Sequence, residues 1–158
     1  MNLEAEVGKL LRRHHLSLGT VESATGGLIA HRITDVSGSS EYFSGSVTAY
    51  SNEVKIRVVG VNKETIYHYG AVSPEVAMEM AEGGRKLLCA DVCIADTGIA
   101  GPTGGSPAKP VGLFYLGLSH AGGTLCRKFV FYGDRGQNKK SAAEAALKWL
   151  VKFLSSPG

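Results

Sequence analysis

The run D-V-C-I-A-D-T-G, Asp91 to Gly98, is followed at once by a glycine-rich stretch, and together Thr97 to Pro107 read T-G-I-A-G-P-T-G-G-S-P. A short, continuously apolar run of this kind marks a central strand covered on both faces. Covering both faces takes helices on each side of a sheet, so this segment points to an α/β architecture. The 158 residues suffice to bury one such core. With 44% hydrophobic and 20% charged residues the composition is globular, and a single domain over 1–158 is expected.

The flanking pattern agrees. Leu3, Val7, Leu10 and Leu11 recur at helical spacing and predict a helix over 2–14. Residues 16–22 alternate as a strand, and G-G-L-I-A-H-R-I-T-D predicts a helix starting near Thr25. E-Y-F-S-G-S-V-T-A-Y reads as a strand ending near Tyr50, after which Ser51 caps a short helix through Arg57. Another short helix is expected over 63–68. S-P-E-V, with serine at the cap and proline in the first turn, opens a helix to about Leu88. Residues 111–119 and 124–132 form a hairpin around A-G-G, and 137–154 form the last helix. The predicted fold is a three-layer α/β/α sandwich around a mixed, mostly parallel sheet of about five strands.

Several function classes lose support. The net charge of +3 is small and its lysines and arginines are scattered, which argues against nucleic acid as a partner. No apolar run approaches the ~20 residues of a membrane span, and the N-terminus begins as an amphipathic helix without a signal-peptide core, so a cytoplasmic protein is expected. Cys89, Cys93 and Cys126 are odd in number and form no C-x-x-C pair, which reads as reduced core thiols and no metal site. Neither a P-loop nor G-x-G-x-x-G occurs, so no nucleotide cofactor is indicated.

Two glycine-bearing turns follow predicted strands: S-A-T-G-G after the first, and Thr97 to Pro107 after the third. Ligands of open α/β sheets bind beyond the carboxyl ends of strands, so the two turns outline a pocket for an anion. Ser23, at the first turn, lies outside any G-x-S-x-G elbow or S-x-x-K motif, and the five histidines fall at predicted surface or packing positions. A serine without a histidine can use a lysine whose pKa is lowered by burial. T-A-Y-S-N-E-V-K offers Lys55, about one helical turn after Tyr50. On residue chemistry alone Ser23 is equally a helix cap, Lys55 a solvent-facing lysine, Arg135 a surface arginine, and the glycine turns empty.

The ordered motifs E-S-A-T-G-G, T-A-Y-S-N-E-V-K, H-Y-G-A-V-S, T-G-I-A-G-P-T-G-G, K-P-V-G and Y-G-D-R resemble the CinA C-terminal domain family over about residues 3–154. The resemblance implies a metal-free serine/lysine amidohydrolase that converts nicotinamide mononucleotide to nicotinate mononucleotide and ammonia, with no cofactor. It places the nucleophile on Ser23, the base on Lys55 and a tyrosine on Tyr50. Oxyanion donors are then expected among the N–H groups of Ala24, Thr25, Gly26 and Gly27. Gly98, Gly101, Gly104, Gly105, Ser73 and Arg135 are the expected phosphate donors, with Ile99, Ala100 and Thr103 completing the substrate loop. Ala24 stands where many relatives have cysteine, which keeps the backbone donor. Larger relatives carry an N-terminal domain linked to ADP-ribose hydrolysis that has no counterpart in these residues. Family habit also suggests a homo-oligomer. The alternatives are a nucleotide- or phosphate-binding module without turnover and an accessory protein linked to competence or DNA damage.

Overall fold

The apolar run is the middle strand of five in the computed structural model, which describes residues 2–156. This strand, β3 (Val92–Gly98), is buried through its first six residues. It lies between β1 (Leu18–Glu22) and β4 (Leu113–His120), and β2 (Phe43–Thr48) and β5 (Gly123–Val130) form the edges. The order is β2-β1-β3-β4-β5, with β2, β1 and β3 parallel to one another and β4 antiparallel to both its neighbours. Four strands therefore share one direction, and the sheet is mixed and mostly parallel as expected.

Strand alternation sorts the core into two layers. Leu18, Val92, Ile94, Leu116 and Leu118 face α1 (Leu3–His14), α2 (Leu28–Thr34) and α6 (Arg135–Ser155). Val21, Cys93 and Ala95 face α5 (Pro74–Leu87), which is joined there by α4 (Lys63–Tyr69) and by α3. Helix α3 starts as Asn52–Val54 and continues as a π-helical turn, Lys55–Val59. The chains leaving β1 and β2 pass to opposite faces of the sheet. Their loops part at its carboxyl edge and leave a crevice there.

Several boundaries differ from the sequence reading. Helix α2 begins at Leu28 rather than near Thr25, because Gly26 (φ 63°) and Gly27 (φ 103°) make a left-handed turn first. β2 ends at Thr48, and α6 starts at Arg135, where Asp134 and Gln137 form a capping box. Only Cys93 is a core thiol, pushed up to about 12 by burial. Cys126 is half-buried and Cys89 is exposed in the turn after α5, which corrects the expectation of three core thiols. No helix among the described residues is long and apolar enough to cross a membrane.

Candidate active site

The turn after β1 removes the reading of Ser23 as a helix cap through a third residue, Glu22. Its fully buried carboxylate accepts the N–H groups of Gly27, Ile29 and Ala30, which are the orphan donors at the start of α2. The helix is thus capped from the preceding strand, and Ser23 has no capping duty. Asp96, fully buried on β3, accepts the N–H groups of Ser23 (3.0 Å) and Thr25 (3.2 Å) and pins the turn from behind.

These bonds also correct the oxyanion assignment. The N–H groups of Thr25, Gly26 and Gly27 are spent on Asp96, the Ser23 carbonyl and Glu22. Among the described residues only the Ala24 N–H of this turn has no protein partner. It sits beside the serine, where an oxyanion donor is needed.

Lys55 reaches Ser23 because of the chain that leaves β2. The Ala49 N–H bonds the Glu22 carbonyl, Ser51 Oγ caps the next turn through Val54, and Lys55 follows at the start of the π-helical segment. Its Nζ lies 3.0 Å from Ser23 Oγ and 3.0 Å from the Tyr50 carbonyl oxygen. Lys55 is 2% exposed and Ser23 8%. Burial lowers the lysine pKa, and the charge of Asp96 partly offsets this. A buried amine that gives up its proton readily, touching a serine hydroxyl, is the arrangement a lysine general base requires. The reading of Lys55 as a solvent-facing lysine is therefore excluded.

Tyr50 serves differently from a side-chain relay. Its carbonyl contacts Lys55, while its ring is 61% exposed and its hydroxyl accepts from Arg135 Nη2 at 3.1 Å. Arg135 also donates to the Gly101 carbonyl at 2.7 Å, and Asn138 Nδ2 donates to the Ala100 carbonyl. The loop after β3 is thus fastened by its carbonyls. The N–H groups of Ala100, Gly101, Thr103 and Gly104 have no protein partner among the described residues.

Ser23, Ala24, Tyr50, Lys55, Gly98, Ile99, Ala100, Gly101, Thr103, Gly104 and Arg135 meet in one cleft of ≈ 270 Å³. Gly105 lines a neighbouring hollow that begins at Thr103 and Gly104. Ser73 is a correction: its hydroxyl accepts from Val76 N–H and donates to the Gly70 carbonyl, so it caps α5 and lies outside the cleft lining. Asn52, Ala71, Val72 and Thr97 line the cleft and were not singled out from sequence. Glu22 and Asp96 were also missed, although a carboxylate inside an otherwise apolar strand is a signal, since such groups are rarely buried without partners. A larger groove of ≈ 600 Å³ between β5 and α6 is lined by Arg127, Phe129, Lys148 and Trp149, but it contains no paired nucleophile and base.

Comparison with known proteins agrees with this architecture. Residues 1–154 match the CinA C-terminal domain. A Halothermothrix orenii protein carrying the name competence-damage inducible protein is 51% identical over 97% of this chain and 37% of its own length. A CinA-like protein of Salinibacter ruber is 48% identical over 98% of this chain and 38% of its own. The chain thus spans somewhat over a third of these relatives. The crystal structure of competence damage-inducible protein A from Klebsiella pneumoniae shares the fold with a TM-score of 0.95 at 32% identity, covering 99% of this chain and 97% of that one. Match to the family pattern from Met1 to Leu154, and to a solved fold along nearly the whole length, makes this chain a member of the CinA C-terminal domain family.

Proposed function

We propose that this chain is an amidohydrolase that releases ammonia from nicotinamide mononucleotide through a Ser23 acyl-enzyme. The observation that carries the reading is the 3.0 Å contact between buried Lys55 Nζ and Ser23 Oγ. Neutral Lys55 takes the hydroxyl proton as Ser23 Oγ bonds to the carboxamide carbon, and the resulting oxyanion is held by the Ala24 N–H. On collapse the C–N bond breaks and the Lys55 ammonium returns its proton to the departing nitrogen, which leaves as ammonia. Water then attacks the ester with Lys55 again as base, releasing nicotinate mononucleotide and restoring Ser23. Arg135 and the free N–H groups of Gly101, Thr103 and Gly104 are the donors for the 5′-phosphate. Arginine suits this role because its planar fork matches phosphate oxygens.

The test is ammonia release from nicotinamide mononucleotide, with nicotinamide riboside as the control lacking phosphate. Wild-type protein should turn over the mononucleotide and discriminate strongly against the riboside. Ser23→Ala and Lys55→Ala should each lose about 10³-fold or more in kcat while remaining folded. Near-normal release by Ser23→Ala would remove the nucleophile assignment. Tight binding of the mononucleotide with no ammonia from the wild type would replace the enzyme by a binding module.

A further inference from the structure

Thr25 stands between two carboxyl groups. Its hydroxyl is 2.7 Å from Glu22 Oε1 and within hydrogen-bonding distance of Asp96 Oδ1, and all three side chains are buried. A hydroxyl has one proton to donate. If both contacts are hydrogen bonds, one of the carboxyl groups carries a proton. Glu22 already collects three main-chain N–H groups, from Gly27, Ile29 and Ala30, while Asp96 collects two, from Ser23 and Thr25. Where that proton is bound, below about pH 6, it therefore rests on Asp96, which donates to Thr25 Oγ1, which donates in turn to Glu22; above that pH Asp96 is a carboxylate and Thr25 donates to one of the two carboxylates.

We propose that Asp96 is a positioning residue for the Ser23–Lys55 pair: its carboxyl clamps the main chain of the nucleophile turn and supplies the charge that Lys55 faces. The clamp is what spends the Ser23 and Thr25 N–H groups and leaves Ala24 as the free donor. The charge acts on the base. Burial favours the neutral amine of Lys55, and the Asp96 carboxylate favours the ammonium. A base that must also return its proton to a leaving group works best with balanced proton affinity, and burial alone would take Lys55 too far. The charged groups acting on Asp96 itself are Glu22 on β1 and Lys55 on the π-helical turn. Burial chiefly, with the charge of Glu22, pushes the Asp96 carboxyl up to about 6 against the hydrogen bonds from Thr25 and Ser23. Above that pH Asp96 is charged and Lys55 holds its proton more tightly.

The kinetic arm of the test rests on the amidase reading, and the labelling arm does not. A fluorophosphonate modifies an activated serine whatever its natural substrate. The rate of Ser23 labelling, followed by intact mass across pH 5–10, reports when Lys55 becomes a base. In Asp96→Asn the rise of labelling with pH should move about one unit lower, because an opposing charge has gone, and kcat for ammonia release should fall about tenfold at pH 8. A rise that stays at the wild-type pH overturns the assignment. Normal labelling with no ammonia from wild type defeats the amidase reading alone. Should Asp96→Asn not fold, the wild-type protein suffices: Asp35, Asp91, Asp96 and Asp134 are its only aspartates, and the other three are exposed. Labelled with ¹³C at aspartate carboxyls, it should show one resonance titrating near 6. The absence of any response of that resonance over the pH range in which serine labelling rises, where Lys55 loses its proton, would overturn the proposal.

Discussion

Lys55 is the residue at which stability and chemistry oppose each other. Its amine is held in the core beside Ser23, and burial lowers its pKa from the ordinary 10.5. The unfolded chain therefore binds this proton more readily than the folded one between the lowered value and 10.5, so folding stability rises with pH across that window. Below the window the full cost of burying the charge is present. Lys55→Met keeps the length and removes the charge. It should abolish serine labelling yet raise the unfolding free energy at pH 7 by about 1–2 kcal/mol. Denaturant titrations at several pH values should show that advantage fading as pH approaches 10.5. An advantage independent of pH would mean that Lys55 is not buried at a cost. Residue type made Ser23 and Lys55 candidates in the sequence but left a helix cap and a solvent-facing lysine equally open, and it was the ordered family motifs that singled them out. The Glu22 cap was illegible because it depends on how the chain turns from β1 into α2, and the Asp96 clamp because it joins residues 73 positions apart in the chain.

At the scale of elements, the site depends on how closely α5 approaches the π-helical turn. A Cβ built on Gly83 would lie 2.0 Å from the Val59 carbonyl oxygen, so the helix and the last residue of the turn touch backbone to backbone. The same helix meets β1 at Gly84, where a Cβ would fall 2.2 Å from Val21 Cγ2. G-G inside an otherwise regular helix lowers helix propensity by about 1 kcal/mol per glycine, and close packing is the compensation. Gly83→Ala should therefore destabilise the protein by about 1–3 kcal/mol despite the better propensity of alanine. It should also slow serine labelling, because relief of the clash displaces the segment that carries Lys55. Unchanged labelling with increased stability would show that the turn yields freely. The helix over 73–88 was readable from its cap and periodicity, but the π-helical turn was not. Nothing in K-I-R-V-V distinguishes it from ordinary helix, and its form follows from packing against Gly83 and from Gly60 (φ 87°) ending the segment.

Across the whole molecule, the sheet separates two packing layers that carry unequal responsibility for the site. One holds α1, α2 and α6 around Leu11, Leu18, Ile94 and Leu147; the other holds α5 with Val59, Val61, Val76 and Met80. Only the second layer includes the segment that follows Lys55. The architecture was readable in advance because predicted strands alternate with helices along the chain and the Asp91–Gly98 run reads as a strand covered on both faces, whereas the division of labour between the layers needed the strand order and register. Two truncations of fully buried side chains separate these roles. Leu147→Ala, in the middle of α6, should cost about 2–5 kcal/mol of unfolding free energy. Under native conditions its rate of Ser23 labelling should match wild type, since the cavity opens against α1 and the far side of the sheet. Met80→Ala should cost a similar amount, but its cavity lies beside Val59 and Val61, and labelling should slow several-fold. Because the two variants are compared at matched folded fraction, global unfolding cannot produce the difference. Equal slowing in both would mean that strain crosses the sheet, and the nucleophile turn, anchored by Glu22 to α2 on the Leu147 side, would be the path it takes.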